Sequence, residues 1–353
     1  MQTASRAPAP DAHDAPSAHA DLAACRARLS NGSRTFLAAS LLLPRAVRDP
    51  ACALYAFCRQ ADDAVDGAGS PGAAVLALHR RLAQVYQGRP DDDPADRALA
   101  DVVRRFAIPR ALPQALLEGF AWDAAGRRYE TPDELFAYAA RVAGAVGAMM
   151  ALLMGVRSAS GLARACDLGV AMQLSNIARD VGEDARMGRL YLPLRWLREA
   201  GVDPDSWLAS PRFEAGIAQV VARLLAAADA LYERVDAGVA QLPLSCRPGI
   251  NAARYLYAEI GHEVRRGGLN SVDRRAVVAA ARKLALLALA LGRCFPSSAQ
   301  ATAPPLAATR FLVEAVAPLE RETDAQTGRV GRLIELFDRL ERRERLHGPA
   351  RSH

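Results

Sequence analysis

Residues 53–66 read ALYAFCRQADDAVD. Apolar side chains recur here every three or four positions, the period of a helix with one buried face. Yet aspartate stands at 62, 63 and 66, and aspartate is a poor residue for a helix interior. Asp62 and Asp66 share one face, about 5–6 Å apart at Cβ, where like charges repel. Arg59 and Tyr55 continue that stripe backward, while Asp63 lies about a hundred degrees round the helix.

A second stretch has the same character. In QLSNIARDVGED (173–184), Gln173, Asn176, Asp180 and Asp184 step by three, four and four, forming one stripe of oxygen-bearing side chains. Oxygen donors of this kind suit Mg²⁺, which takes one or two carboxylates and completes its shell with phosphate and water. One stripe cannot surround several ions, whereas two facing stripes can. The plainer alternative is a pair of solvated helix faces, the ordinary fate of charge-rich stretches. Against it, both stripes are set among Ala, Val, Leu and Phe at neighbouring turns.

The rest of the chain agrees with an all-α fold. Of 353 residues, 51% are hydrophobic and 6% aromatic; alanine and leucine dominate and β-branched runs are scarce. Helices are expected at 21–30, 35–42, 45–66, 72–87, 95–106, 113–125, 132–156, 160–184, 211–240, 247–266, 273–293 and 304–344. Pro/Gly clusters such as GAGSPG (67–72), GRPDDDP (88–94) and DPDSWLASP (203–211) separate several of them. No linker divides the chain, so one helical domain is expected over 21–344. Residues 1–20, rich in Ala, Pro, His and Asp, and 345–353 are expected to be disordered ends.

The net charge of +6 is almost wholly arginine, Lys283 being the sole lysine. The guanidinium fork matches phosphate oxygens in two places, so phosphate-bearing partners are favoured. Nucleic acid is not expected, because the basic residues are dispersed without interleaved aromatics. Cys25, Cys52, Cys58, Cys166, Cys246 and Cys294 show no CxxC spacing and read as free thiols of a cytoplasmic protein. The start of the chain lacks the basic and apolar regions of a signal peptide. The longest uncharged apolar run, Val142 to Val156, would be about 22 Å long as a helix, short of a hydrocarbon core of about 30 Å.

Several chemistries are absent. Lys283 does not sit in a P-loop, and there is no GxSxG elbow. Gly67, Gly69 and Gly72 spell GxGxxG, but after a helix and with Pro71 inside, so this is a turn. Glu259 and His262 make a single ExxH, half of a di-iron set, and His262 reads as structural or exposed.

At this point the chain resembles the bacterial members of the squalene/phytoene synthase family. The likeness covers about residues 22–340. It is carried by SRTFLAASLLLP (33–44), ALYAFCRQADDAVD (53–66), DAAGRRYETPDEL (123–135), VAGAVGAMM (142–150), QLSNIARDVGEDARMGRLYLP (173–193) and LYAEIGHEVRR (256–266). The resemblance implies a helical bundle around a central cavity, with both acid-rich helices at its mouth binding Mg²⁺ (or Mn²⁺) and the substrate diphosphates. Asp62, Asp66, Asn176, Asp180 and Asp184 match the metal positions. Ser33, Arg34, Thr35, Arg59, Arg179, Tyr257 and Arg274 match phosphate-holding positions, and Tyr55 and Gln173 line the same region. Arg34 and Thr35 replace the Lys-Ser of many relatives. Tyr129 and Tyr138 are either at the site or in the core.

The implied reaction is the head-to-head condensation of two geranylgeranyl diphosphates to 15-cis-phytoene, a step of carotenoid biosynthesis. VAGAVGAMM would wall the cavity, with Gly144, Ala145, Gly147 and Ala148 leaving room for prenyl chains and Met149 and Met150 adapting to them; close helix packing explains the same residues equally well. A forty-carbon product favours peripheral contact with the inner face of the cytoplasmic membrane, and contact with other carotenoid-pathway enzymes. The alternatives are a dehydrosqualene, squalene or presqualene diphosphate synthase using the C15 diphosphate, and a non-catalytic helical assembly factor of the same fold.

Overall fold

The computed structural model describes residues 15–32, 34–67, 71–293 and 303–318. All of Ser33 and the side chains of Arg34, Thr35 and Asp66 lie outside the described residues, as does Cys294. No strand occurs among the described residues. The helices are α1 (Ala15–Gly32), α2 (Arg34–Ser40), α3 (Arg45–Asp66), α4 (Pro71–Tyr86), α5 (Pro94–Phe106), α6 (Ala111–Ala124), α7 (Pro132–Ala139) and α8 (Ala145–Leu153). They continue with α9 (Ala159–Arg186), α10 (Leu194–Glu199), α11 (Pro204–Ala209), α12 (Ala215–Arg234), α13 (Asp236–Val239), α14 (Arg247–Arg266) and α15 (Ala280–Gly292).

Local chemistry sets many of these ends. Asp93 caps α5, its Oδ1 accepting the Ala95 amide at 2.8 Å, with Pro94 following. Thr131 and Ser158 cap α7 and α9 in the same way. Such caps satisfy amide groups that the helix itself leaves without partners. The main core is a contiguous set of buried side chains running from Cys25 on α1 to Val316 near the end of the described chain, with a small second cluster at Ala39, Ala252 and Ala290.

The observed helices depart from the expected ones in four places. First, α1 begins at Ala15, so residues 15–20 of the stretch read as a disordered tail are helical; α1 docks through buried Cys25 and Leu29 and through Asp21, which accepts from Arg97 Nε at 2.9 Å. Second, the helix expected over 132–156 is interrupted by a π-helical turn, Ala140–Gly144, a distortion that often marks a functional wall. Third, the region between α9 and α12 holds two short helices, α10 and α11, where Pro and Gly suggested only loop. Fourth, α15 starts at Ala280 rather than at 273. Asn270 Oδ1 accepts the amides of Val272 and Asp273 at 3.3 and 3.1 Å, and such local bonds compete with a helix. Of the helix expected over 304–344, residues 307–318 are helical, beginning in a 3₁₀ turn, and the remainder lies outside the described residues.

Two helical stretches, Pro132–Leu153 and Ala215–Val239, are long and apolar enough to cross a membrane. Both are core elements, however, contributing Leu135, Leu152, Val221 and Leu224 at 0% exposure.

Candidate active site

Helices α3 and α9 line one cavity of about 290 Å³. On α9 the lining residues are Gly161, Arg164, Ala165, Leu168, Gly169, Met172, Gln173 and Asn176. They step by threes and fours, and the stripe runs on to Asp180 and Asp184. On α3, Ala51, Leu54, Tyr55 and Cys58 line the cavity, and their stripe runs on to Asp62. Each helix therefore carries apolar lining along one face and carboxylates at the end of that same face. The sequence stripes are the upper parts of two longer ones.

Val142, Ala143, Val146, Gly147 and Met150 add a third wall, and Ile250, Ala253 and Tyr257 of α14 a fourth. Both readings of VAGAVGAMM are therefore realised. Gly147 and Met150 face the cavity, while Ala145, Ala148 and Met149 pack in the core. Gly147 also serves packing, since a Cβ there would stand 2.2 Å from the Ala165 carbonyl oxygen.

At the acidic end, Asp180 is gripped by two arginines. Arg179 donates from Nε at 2.7 Å and from a terminal nitrogen at 2.5 Å. Arg275 donates to the same two oxygens at 2.7 and 3.3 Å and lies 3.3 Å from Glu183. Gly182 makes this possible. Its amide donates to the Ser271 carbonyl at 2.9 Å, and a Cβ there would fall 2.0 Å from the Val272 carbonyl oxygen. The 270–279 loop thus crosses α9 against bare backbone and delivers Arg275. Arg274, the residue expected at the phosphates, turns instead to the Gly267 carbonyl at the end of α14. Its neighbour Arg275 is the one that reaches Asp180, because the loop rather than a helix sets which side chain points to α9.

Asp184 is the most perturbed carboxyl in the stripe. Burial, and then the charge of Asp180, push it up to about 7, against a smaller opposing pull from Arg189. A carboxylate so placed lacks sufficient positive charge around it. On α3, Arg59 stays on its own helix, 3.3 Å from Asp62 and 2.7 Å from Asp63. Tyr55 and Tyr257 both line the cavity, and Tyr257 lies close enough to act electrostatically on both Tyr55 and Arg179.

A network of which the sequence singled out only Tyr129 and Tyr138 adjoins Asp184. Asp123 accepts the Tyr138 hydroxyl at 2.8 Å and the Tyr191 hydroxyl at 2.8 Å. The rings of Tyr129, Tyr138 and Tyr191 stack behind it, with centroids 5.2 Å (129–138) and 5.3 Å (138–191) apart. Burial foremost, then the Asp123 charge, raises Tyr138 and Tyr191 well above the ordinary phenol range. Asp123 also contributes to the field on Asp184. The signal was present in DAAGRRYETPDEL and RLYLP, but nothing in spacing joins positions 123, 138 and 191.

The donors at this end fit a hard divalent cation by type, being oxygen only: Asp62, Asn176, Asp180 and Asp184. Among the described residues no three His, Cys, Asp or Glu side chains converge on one point. Positive charge beside the elevated Asp184 carboxyl would favour its ionised form.

The squalene/phytoene synthase family profile matches residues 29–282. The chain belongs to this family. Among curated relatives, a phytoene synthase of Cereibacter sphaeroides is 52% identical over 343 residues, covering 93% of this chain and 96% of the relative. A phytoene synthase of Rhodobacter capsulatus is 57% identical over 274 residues, covering 77% and 81%. Among solved structures, a dehydrosqualene synthase in complex with ligand superposes with a TM-score of 0.73 at 32% identity, covering 78% of this chain and 97% of that one. The family's all-α fold is thus this chain's fold, and the chain is an enzyme of the prenyltransferase type.

Proposed function

We propose that this chain is a 15-cis-phytoene synthase of carotenoid biosynthesis, joining two C20 geranylgeranyl diphosphates head to head with release of both diphosphates. The observation that carries this reading is the apolar cavity lined by two carboxylate-bearing helices. The curated relatives named phytoene synthase at 52% and 57% identity support it over the C15 reading. Retention of Asp62, Asp180 and Asp184 on the helix stripes that run on from the cavity lining weighs against a non-catalytic assembly factor.

Asp62, Asp66, Asn176, Asp180 and Asp184 would hold Mg²⁺ or Mn²⁺. Such an ion supplies charge stabilisation to the departing diphosphate. The chain's own part is otherwise electrostatic and steric. Arg179 and Arg275 present guanidinium groups at the level of Asp180, where phosphate oxygens can be held in pairs. Ser33, Arg34, Thr35 and Arg59 are assigned to the same oxygens. Tyr55, Gln173 and Tyr257 position the head of the prenyl chain where the polar end meets the apolar walls. Those walls exclude water from the allylic cation left by ionisation. The second substrate's double bond attacks that cation, and proton loss gives a cyclopropyl diphosphate. A second ionisation, rearrangement and proton loss complete the product.

Purified protein incubated with Mg²⁺ and either the C20 or the C15 diphosphate, with and without NADPH, tests the reading by mass spectrometry. A C40 hydrocarbon from C20, indifferent to NADPH, is expected. A C30 product would replace the substrate assignment, and no product from either would overturn the enzyme reading.

The site faces the cytoplasm in this proposal, with peripheral contact to the inner face of the membrane and to enzymes that consume the product. Each CH₂ buried is worth about 0.8 kcal/mol, so a C40 hydrocarbon partitions into lipid. Leu284 and Leu291 of α15 stand 68% and 56% exposed, beside Arg282, Lys283 and Arg293. Apolar side chains among basic ones suit an anionic bilayer.

A further inference from the structure

Among the residues lining the cavity, one is charged: Arg164. It stands twelve positions before Asn176 on α9, about 18 Å down the helix axis, and its side chain is 2% exposed. A buried charge at the far end of an apolar cavity requires a reason.

Arg164 is tethered. Its Nε lies 2.9 Å from Oδ2 of Asp167, which is wholly buried, and the same oxygen accepts from Arg234 Nε of α12 at 2.9 Å. Both arginines also donate to the Pro304 carbonyl, at 3.2 and 2.6 Å. On the other side, Gly238 of α13 leaves no slack: a Cβ there would stand 2.4 Å from Arg164 Cβ and 3.0 Å from its Cγ. Met154, Val156 and Leu242 complete this end of the cavity.

Buried ion pairs seldom outperform well-packed apolar side chains in stability, and their better-attested benefit is a fixed arrangement. Met150, Met154 and Met172 elsewhere in the lining can repack around a guest. Arg164 is held more tightly, because swinging aside would give up its pairing with the wholly buried Asp167 and its hydrogen bond to the Pro304 carbonyl, and would leave Arg234 alone on both.

We propose that Arg164, pinned by Asp167 and Pro304 and backed by Gly238, is the chain-length stop of this cavity. It fixes how far below the acid stripes a prenyl tail can reach, and so which chain length is accepted. This rests on the synthase reading above and deepens it.

The test is kcat/KM, with product mass, for the C15, C20 and C25 diphosphates. Wild type is expected to use C25 at least about tenfold less well than C20, the scale on which a pocket rejects a larger apolar group. Arg164→Ala should raise the C25-to-C20 ratio by about tenfold, since it opens the end of the cavity. Gly238→Ala should push Arg164 inward and raise the C15-to-C20 ratio instead. A residue that merely fastened α9 to α12 would lower turnover with every length alike and leave both ratios unmoved, which would overturn the stop. So would wild type that accepts C25 as readily as C20, a result that needs no variant to fold. No product from any diphosphate would overturn the synthase reading and the stop together, whereas product with unmoved ratios would overturn the stop alone.

Discussion

Asp184 is the carboxyl of the α9 stripe on which burial acts most visibly. Its carboxyl is lifted from 3.8 to about 7 by burial and by Asp180. A carboxyl whose pKa is higher in the folded than in the unfolded protein binds its proton more tightly when folded. Stability is therefore gained as pH falls through 7 toward 4 and lost as pH rises. The gap of about three pH units, at about 1.4 kcal/mol each, sets a ceiling of about 4 kcal/mol. In thermal scans with EDTA, the wild-type melting temperature should be higher at pH 5 than at pH 8. Asp184→Asn should flatten that difference and raise the pH 8 value by several degrees, while cutting turnover at least about a hundredfold. A variant that melts lower at pH 8 than wild type would refute this account of Asp184. At this scale the sequence was informative where spacing is local. Asp180 and Asp184 share a helix face and could be paired from spacing; Asp123, Tyr138 and Tyr191 meet only through the fold, so the sequence could name Tyr138 as a candidate but not join it to the other two.

At the scale of elements, α3 was legible to its last residue, because its apolar period and the turn after Asp66 agree. The start of α15 was not, because RRAVVAA reads as helix while Asn270 and the crossing at Gly182 pull the chain across α9. That loop points Arg275 at Asp180 and Arg274 at the end of α14. Helix α15 itself is clamped to α14 by Glu259, whose carboxylate receives Arg282 at 2.9 and 3.0 Å, Arg266, and His262 at 3.3 Å. Burial opposes its ionisation, but these hydrogen bonds win and hold it down at about 2. The ExxH is thus a fastening, and its histidine is exposed. With its inner face secured, α15 turns Leu284 and Leu291 outward. In flotation with anionic liposomes, wild type should rise with the vesicles, and Leu284→Asp with Leu291→Asp should stay behind. Flotation of the double variant equal to that of wild type would remove α15 as the contact, and wild type that does not float would remove the membrane proposal.

Across the whole molecule, the two stripes decide the architecture as well as the chemistry. Each amphipathic helix places carboxylates at one end of a face and cavity lining along the rest, and in the proposed function the two sets of acids share one mouth. The all-α class and the two acidic helices could be read from periodicity alone. The depth and far end of the cavity could not, since Arg164, Gly238 and Pro304 are joined only in three dimensions. The most direct test of the central claim is Mg²⁺-dependent turnover of the C20 diphosphate by Asp62→Ala and Asp180→Ala, one variant from each stripe. Both should fold and lose at least about a hundredfold in kcat, as expected when charge-stabilising groups are removed from a dry site. Full turnover by either would contradict the claim that the two helices act together on the diphosphates.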